Sequence, residues 1–431
     1  MLDQEIAISN PQSTEELVEQ YKRIRERTEV LAKPLATEDY MIQAMTNASP
    51  TKWHLAHVSW FFEAFILKDF EDKYKPVNEL YNYLFNSYYQ DVGIPFPRAH
   101  RGDVSRPTVK EVYDFRNYIN DYMISLLDSK PTNDSIKILT ILGGNHEQQH
   151  QELIMTDIKY NLGINQMFPK YTDIDAASPR SPDIPEMEFV KFDGGLTEIG
   201  YTGEGFAFDN EMPVRKVYLN TYKIGNRLVT NAEYLGFIES DAYSNSKYWL
   251  SEGWDKIRNE NWTAPLHWHN ISGEWYSYTL GGLQKLNLSE PVTHVSYYEA
   301  DAFAKWSGKR LPTEEEWENT VKILDLQPET GNFIESNHLH PTATSFEEIE
   351  EHKIVQLYGD VWEWSASAYL PYPGFSVLAE GISEYNGKFM SSQFVLRGGS
   401  CVTPIDHIRR TYRNFWHPDT RFQFSGIRLA K

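Results

Sequence analysis

The chain is 431 residues long, 41% hydrophobic and 14% aromatic, which is enough for two or three domains with separate cores. Its formal net charge of −20 runs against a nucleic-acid partner or an anionic membrane, since both are held by clustered Lys and Arg. One cysteine, Cys401, excludes an intrachain disulfide and suits a reducing compartment. The opening Met1-Leu2-Asp3-Gln4-Glu5 lacks the basic and apolar segments of a signal peptide, and no apolar run approaches membrane-spanning length. The expectation is a cytoplasmic protein with no membrane partner. No feature of the sequence specifies an oligomeric state.

Ser13 and Glu16 form a capping-box pattern ahead of Leu17, Tyr21 and Ile24, which predicts a first helix. A second opens after Ser49-Pro50 and carries Trp53, His57, Phe61, Ala64 and Phe65. Thr108 and Glu111 form another box, followed by Val112, Phe115, Ile119, Met123 and Leu126. The fourth starts near Asn133 or Asp134 and runs to Gly163 as its C-cap. Four amphipathic helices predict a bundle over residues 1–165. Residues 166–185, rich in Pro, Asp and Ser, read as a linker. From 186 to 431 the period changes to short strand-like pieces, Met187–Phe192, Lys216–Ile224 and Phe394–Leu396 among them. Helical patterns persist at Asn231–Ser240, Ser296–Trp306 and Thr313–Leu324, so the second part is predicted as an α+β domain with much irregular structure.

Chemistry concentrates in His146-Glu147-Gln148-Gln149-His150. Residues four apart on a helix share a face, so His146 and His150 can aim two imidazoles at one metal ion. The segment matches the His-Glu-x-x-His signature of zinc proteases, but no further histidine follows before His267. The upstream Trp53-His54-Leu55-Ala56-His57 offers a better third ligand. His54 and His57 are three apart, and spacing leaves both open.

Ser49-Pro50-Thr51-Lys52-Trp53-His54-Leu55-Ala56-His57 followed by His146–His150 resembles the DinB-like bundle of the ergothioneine-biosynthesis sulfoxide synthases, the EgtB family. The C-terminal half resembles the formylglycine-generating-enzyme-like, C-type-lectin-like domain that these proteins carry. Its marks are Pro291–Ser296, Gly308–Glu318, Gly359–Trp364, Leu396–Ser400 and Ser425–Leu429. The resemblance implies a four-helix bundle followed by this domain, with the active site at their junction. It implies iron(II) held by His57, His146 and His150. Dioxygen would be used to join a thiol, cysteine favoured over γ-glutamylcysteine, to C2 of the hercynine imidazole and to oxidise the sulfur to a sulfoxide. Tyr88 and Tyr89 would reach the iron and supply a proton. Arg98 and Arg101 would clamp the thiol substrate's carboxylate, and Gln149 would bond the substrate imidazole. Asn414, Phe415 and Trp416 would line the hercynine pocket, where aromatic faces suit a trimethylammonium group.

Ovothiol- and selenoneine-type synthases are the nearest alternatives. A zinc-dependent hydrolase or thiol transferase, or a non-catalytic binding module, stands further off. Formylglycine-generating enzymes use paired reactive cysteines, so a chain with Cys401 alone departs from that activity, and Cys401 reads as a buried small side chain.

Overall fold

Ser13 begins the first helix as the capping box predicts: its hydroxyl accepts from the Glu16 N–H at 3.3 Å, and the Glu16 carboxylate accepts from the Ser13 N–H at 3.1 Å. The structure is a computed structural model that describes residues 13–173, 185–203, 205–376 and 386–431. It divides into two compact units. One holds the described residues up to Tyr171, with those of Thr202–Asp209 and Ser376–Gly387; the other holds the remainder.

The first unit is built on four helices: α1 (Thr14–Ala32), α2 (Thr51–Phe62), α3 (Val109–Ser129) and α4 (Asp134–Gly163). α2 packs on α3 and α4, and α1 packs on α4. Every residue of α2 is buried, as befits a helix that is apolar almost all round. It continues into a wider π-turn at Glu63–Leu67. α4 can lie close to α2 because Gly143 faces Phe62. A Cβ at Gly143 would stand 2.5 Å from Phe62 Cε1, so only a glycine permits this approach, one turn before His146.

The predicted C-cap is corrected. Gly163 is the last helical residue, and Ile164 closes α4 in right-handed conformation with its N–H on Tyr160 O, so no left-handed residue is required. Of the predicted linker, residues 166–171 belong to the first unit, with the Tyr171 phenol donating to Leu31 O at 2.6 Å. Residues 174–184 of that stretch lie outside the described residues.

The second unit contains small, mainly antiparallel sheets. β1 (Phe189–Phe192) pairs with β4 (Tyr222–Gly225), and β2 (Gly195–Ile199) with β3 (Arg215–Leu219). The segment Lys216–Ile224, read as one strand-like piece, is therefore divided between two sheets. β5 (Trp268–Ile271), β6 (Glu274–Thr279) and β7 (Gly282–Lys285) form a meander that the sequence reading missed. The largest sheet runs β10-β9-β8-β11, from Asn414–Trp416, Phe394–Arg397, Trp362–Ala368 and Ser425–Gly426. Its helices include α5 (Asn231–Glu239), α6 (Ser251–Asn259), α7 (Tyr297–Trp306), α8 (Glu314–Leu324) and α9 (Phe346–His352). Thr230, Ser296 and Thr313 cap α5, α7 and α8 with complete capping boxes.

The motifs of this unit meet in its core. Glu363 accepts from Arg428 Nε at 2.8 Å and from Trp317 Nε1 at 2.9 Å, while Arg397 donates to Glu318 at 2.6 Å. All are buried, so each charge has a partner, as low dielectric demands. Cys401 is buried in the same unit, as expected.

Candidate metal centre

α2 contributes His57, and α4 contributes His146 and His150 one turn apart. One ring nitrogen from each lies within 4.8 Å of the others, and among the described residues this is the one such cluster of His, Cys, Asp or Glu. His57 Nε2 and His146 Nε2 are 3.2 Å apart. Two imidazole nitrogens at right angles, each about 2.1 Å from one ion, are about 3 Å apart, so the spacing fits metal ligation.

The environment favours neutral, ligating rings. His57 Nδ1 donates to Phe85 O at 2.6 Å, which leaves Nε2 with its lone pair. Positions 53, 57 and 60 share one face of α2, so His57 is stacked between Trp53 (4.5 Å, 12°) and Trp60 (5.4 Å, 19°). Burial pushes all three histidines down, His146 to about 3. Neutral imidazoles suit zinc, copper, iron or nickel.

The cluster takes in His57 and leaves out His54. Both His54 nitrogens are engaged behind the cluster, Nδ1 at 2.7 Å from His150 Nδ1 and Nε2 at 2.9 Å from Asp157 Oδ2.

Glu147, the base position of a protease signature, turns away from the three-histidine cluster. Its carboxylate accepts from Arg25 Nη1 (2.8 Å), Thr28 Oγ1 (2.7 Å) and Arg116 Nη2 (3.1 Å). Burial would raise this carboxyl, but Arg25 and Arg116 outweigh it and hold it down to about 2. The zinc-protease role for Glu147 is thereby excluded, since a base must reach a metal-bound water. Its work is to join α1, α3 and α4. Glu147→Ala leaves two buried guanidiniums short of a counter-charge and should destabilise the protein by about 3–5 kcal/mol, measured by urea denaturation at pH 7. Because the folded carboxyl is depressed, its contribution is complete above the ordinary carboxylate range and fades as pH falls toward about 2. Parent and Glu147→Ala stabilities should therefore converge in acid.

Tyr89 is buried and Tyr88 partly so; their rings stack at 4.5 Å, and the Tyr88 hydroxyl donates to that of Tyr89 at 3.3 Å. Trp60 and Phe61 each contact both Tyr89 and one histidine of the cluster. Trp60 lies 5.8 Å from Tyr89 and stacks on His57, while Phe61 lies 6.5 Å from Tyr89 and 4.6 Å from His146. Arg98 and Arg101 share a 3₁₀ turn, Arg98–Asp103, held by Gln43, which donates to Arg98 O and accepts from the Gly102 N–H. Arg98 is exposed and donates to Asn47 O at 2.6 Å. Arg101 is buried, with its guanidinium 3.4 Å over the Trp53 ring and its Nη atoms on Ser49 and Ser87. Its Nε–H has no hydrogen-bond partner among the described residues. Gln149 is partly exposed beside His150.

Asn414, Phe415 and Trp416 belong to the second unit, where they form β10. All three are partly exposed. Phe415 stacks on Tyr369 at 4.1 Å and 11°, and Trp416 meets Phe422 edge-on at 5.1 Å.

Sequence reasoning missed Gln43, Ser49, Lys52 and Asp157. Lys52, inside the Lys-Trp-His segment, is buried and donates to Val104 O and Pro107 O at 2.7 Å, which ties α2 to the chain after the arginine turn. Its burial pushes its pKa down to about 8. Its place immediately before the Trp53–His57 segment was the available signal.

A helical bundle carrying three imidazoles that could hold a metal ion, followed in the chain by an α+β unit of short sheets, defines the class of protein. Residues 175–323 and 326–431 match the family described as "Sulfatase-modifying factor enzyme 1-like domain", and the chain belongs to that family. It is 29% identical over 411 residues to "Hercynine oxygenase" of Mycolicibacterium thermoresistibile, covering 89% of this chain and 87% of that one. It is 30% identical over 236 residues to "Ergothioneine biosynthesis protein 1" of Schizosaccharomyces pombe, covering 52% of this chain and 28% of that one. It is also 27% identical over 295 residues to "Formylglycine-generating enzyme" of Streptomyces coelicolor, covering 59% and 91%. Among the described residues no helix is long and apolar enough to cross a membrane.

Proposed function

We propose that the chain is a non-haem iron(II), dioxygen-dependent hercynine oxygenase of the sulfoxide-synthase type, acting in ergothioneine biosynthesis. It joins the sulfur of cysteine or γ-glutamylcysteine to C2 of the hercynine imidazole. The observation that carries this reading is the His57–His146–His150 cluster, in a chain whose similarity to hercynine oxygenase runs through 89% of its length. The reaction breaks C2–H and S–H and forms C–S and S–O, and the second oxygen atom leaves as water.

Iron(II) bound by the three imidazoles would supply one-electron chemistry with dioxygen at the positions they leave open. The protein's own groups do the rest. A phenol keeps its proton at neutral pH, and the Tyr88-to-Tyr89 hydrogen bond is a route for passing one proton inward. Burial and the neighbouring Arg98 disfavour the Arg101 cation, so an incoming carboxylate would relieve that cost and meet the waiting Nε–H. Gln149 would bond the substrate imidazole. Asn414, Phe415 and Trp416 would receive hercynine, with the rings facing its trimethylammonium group.

The test is anaerobic reconstitution with iron(II), then oxygen uptake with hercynine and each thiol, with products weighed by mass spectrometry. Uptake should require both substrates and yield their sulfoxide conjugate; uptake without that mass would defeat the reading. In the same assay, Phe415→Ala or Trp416→Ala should shrink the preference for hercynine over histidine by about thirtyfold, the value of a desolvated cation–π contact of about 2 kcal/mol. An unchanged preference in both variants would remove β10 from hercynine recognition.

A further inference from the structure

His150 is the one ligand of the three whose outer nitrogen meets another imidazole. Asp157 Oδ2 accepts from the Ser49 backbone N–H at 2.7 Å and lies 2.9 Å from His54 Nε2. His54 Nδ1 lies 2.7 Å from His150 Nδ1. We infer that Asp157 and His54 are positioning residues that set the tautomer and ring orientation of His150, so that its Nε2 is the atom offered to a metal. The inference rests on the proposed His57–His146–His150 ligand set.

The proton positions follow along the chain of bonds. A carboxylate oxygen only accepts, so the His54 proton sits on Nε2. In a neutral ring the other nitrogen, Nδ1, then carries a lone pair. The Nδ1–Nδ1 contact needs one donor, so His150 carries its proton on Nδ1 and its Nε2 is bare. A ligating histidine ordinarily donates its second N–H to a carboxylate, a carbonyl or water. For His57 that acceptor is Phe85 O; for His150 it is His54, itself oriented by Asp157.

The helices make this arrangement natural. His150 and Asp157 are seven apart on α4, hence two turns along one face, and His54 enters from α2 three residues before His57. All three are buried, so water is a poor substitute for the missing partner. A His150 freed of His54 can take the other tautomer, with Nε2 protonated and unable to bind metal.

Two measurements test the inference on the full chain. The first is anaerobic titration with cobalt(II), read by its visible absorption. His54→Ala and Asp157→Ala should each weaken cobalt(II) binding by about 10–100-fold and alter the ligand-field bands, as loss of such outer partners does. His146→Ala controls for the ligand set. If it binds cobalt(II) like the parent, the ligand set and this inference both fall. If it loses cobalt(II) while His54→Ala and Asp157→Ala keep the parent affinity and spectrum, the ligand set stands and this inference falls.

The second measurement needs no variant and is unaffected by any folding defect. Nitrogen-15 NMR of the histidine-labelled, zinc-loaded parent should show His150 protonated on Nδ1 and His54 on Nε2. His54 protonated on Nδ1 instead would overturn the assignment.

Discussion

His57→Ala should lose metal at micromolar protein, with activity falling to background. Four-ligand zinc sites in peptides are worth about 10–16 kcal/mol, so one ligand is worth about 3–4 kcal/mol, or roughly 10²–10³-fold in affinity. In a three-ligand site that loss leaves only the α4 pair. Metal content after dialysis and calorimetric titration would measure it. The same substitution empties the slot between Trp53 and Trp60, so thermal melting of the metal-free proteins should be recorded alongside to separate packing from ligation. A His57→Ala protein with one tightly held metal per chain would refute the ligand set.

The second large effect should come from the tyrosine pair. Tyr88→Phe and Tyr89→Phe each delete one hydroxyl and keep the ring stack at 4.5 Å, so folding and substrate binding should be nearly unchanged. General-acid contributions run to about 10²–10⁴-fold, and sulfoxide formation should fall by that factor in the variant that lacks the true donor. Oxygen uptake should fall less than sulfoxide output, because thiol oxidation without C–S bond formation remains open to the reduced dioxygen. Tyr89 is the buried member, packed 5.2 Å from Phe65 and close to Trp60, which makes it the inner end of the pair. If both single variants and the double variant form sulfoxide at the parent rate, the proton comes from elsewhere.

The helices of the first unit were legible because their signals are local. Ser13 with Glu16 and Thr108 with Glu111 close capping boxes within one turn, and the structure places α1 and α3 after them. The pairing of His146 with His150 was legible for the same reason: 3.6 residues per turn sets the angle between two side chains of one helix whatever surrounds it. The β5–β7 meander and the division of residues 216–224 between two sheets were not legible, because strand pairing depends on partners distant in the chain.

The site divides along the same line. Periodicity relates residues within α2, but it does not set how α2 is rotated about its own axis against α4. That rotation decides how His54 and His57 each face the α4 pair, and it is set by contacts between the two helices, Gly143 of α4 against Phe62 of α2 among them. The fate of Glu147 was decided likewise. One residue from His146 it points about 100° away, and only the arrival of Arg25 from α1 and Arg116 from α3 turns a protease-like signature into a structural ion cluster. The sequence by itself determined the four helices and the two histidines of α4. The place of His57 beside the α4 pair, the silence of Glu147 and the Asp157–His54–His150 chain were decided by tertiary packing, because each depends on distances between side chains of different helices.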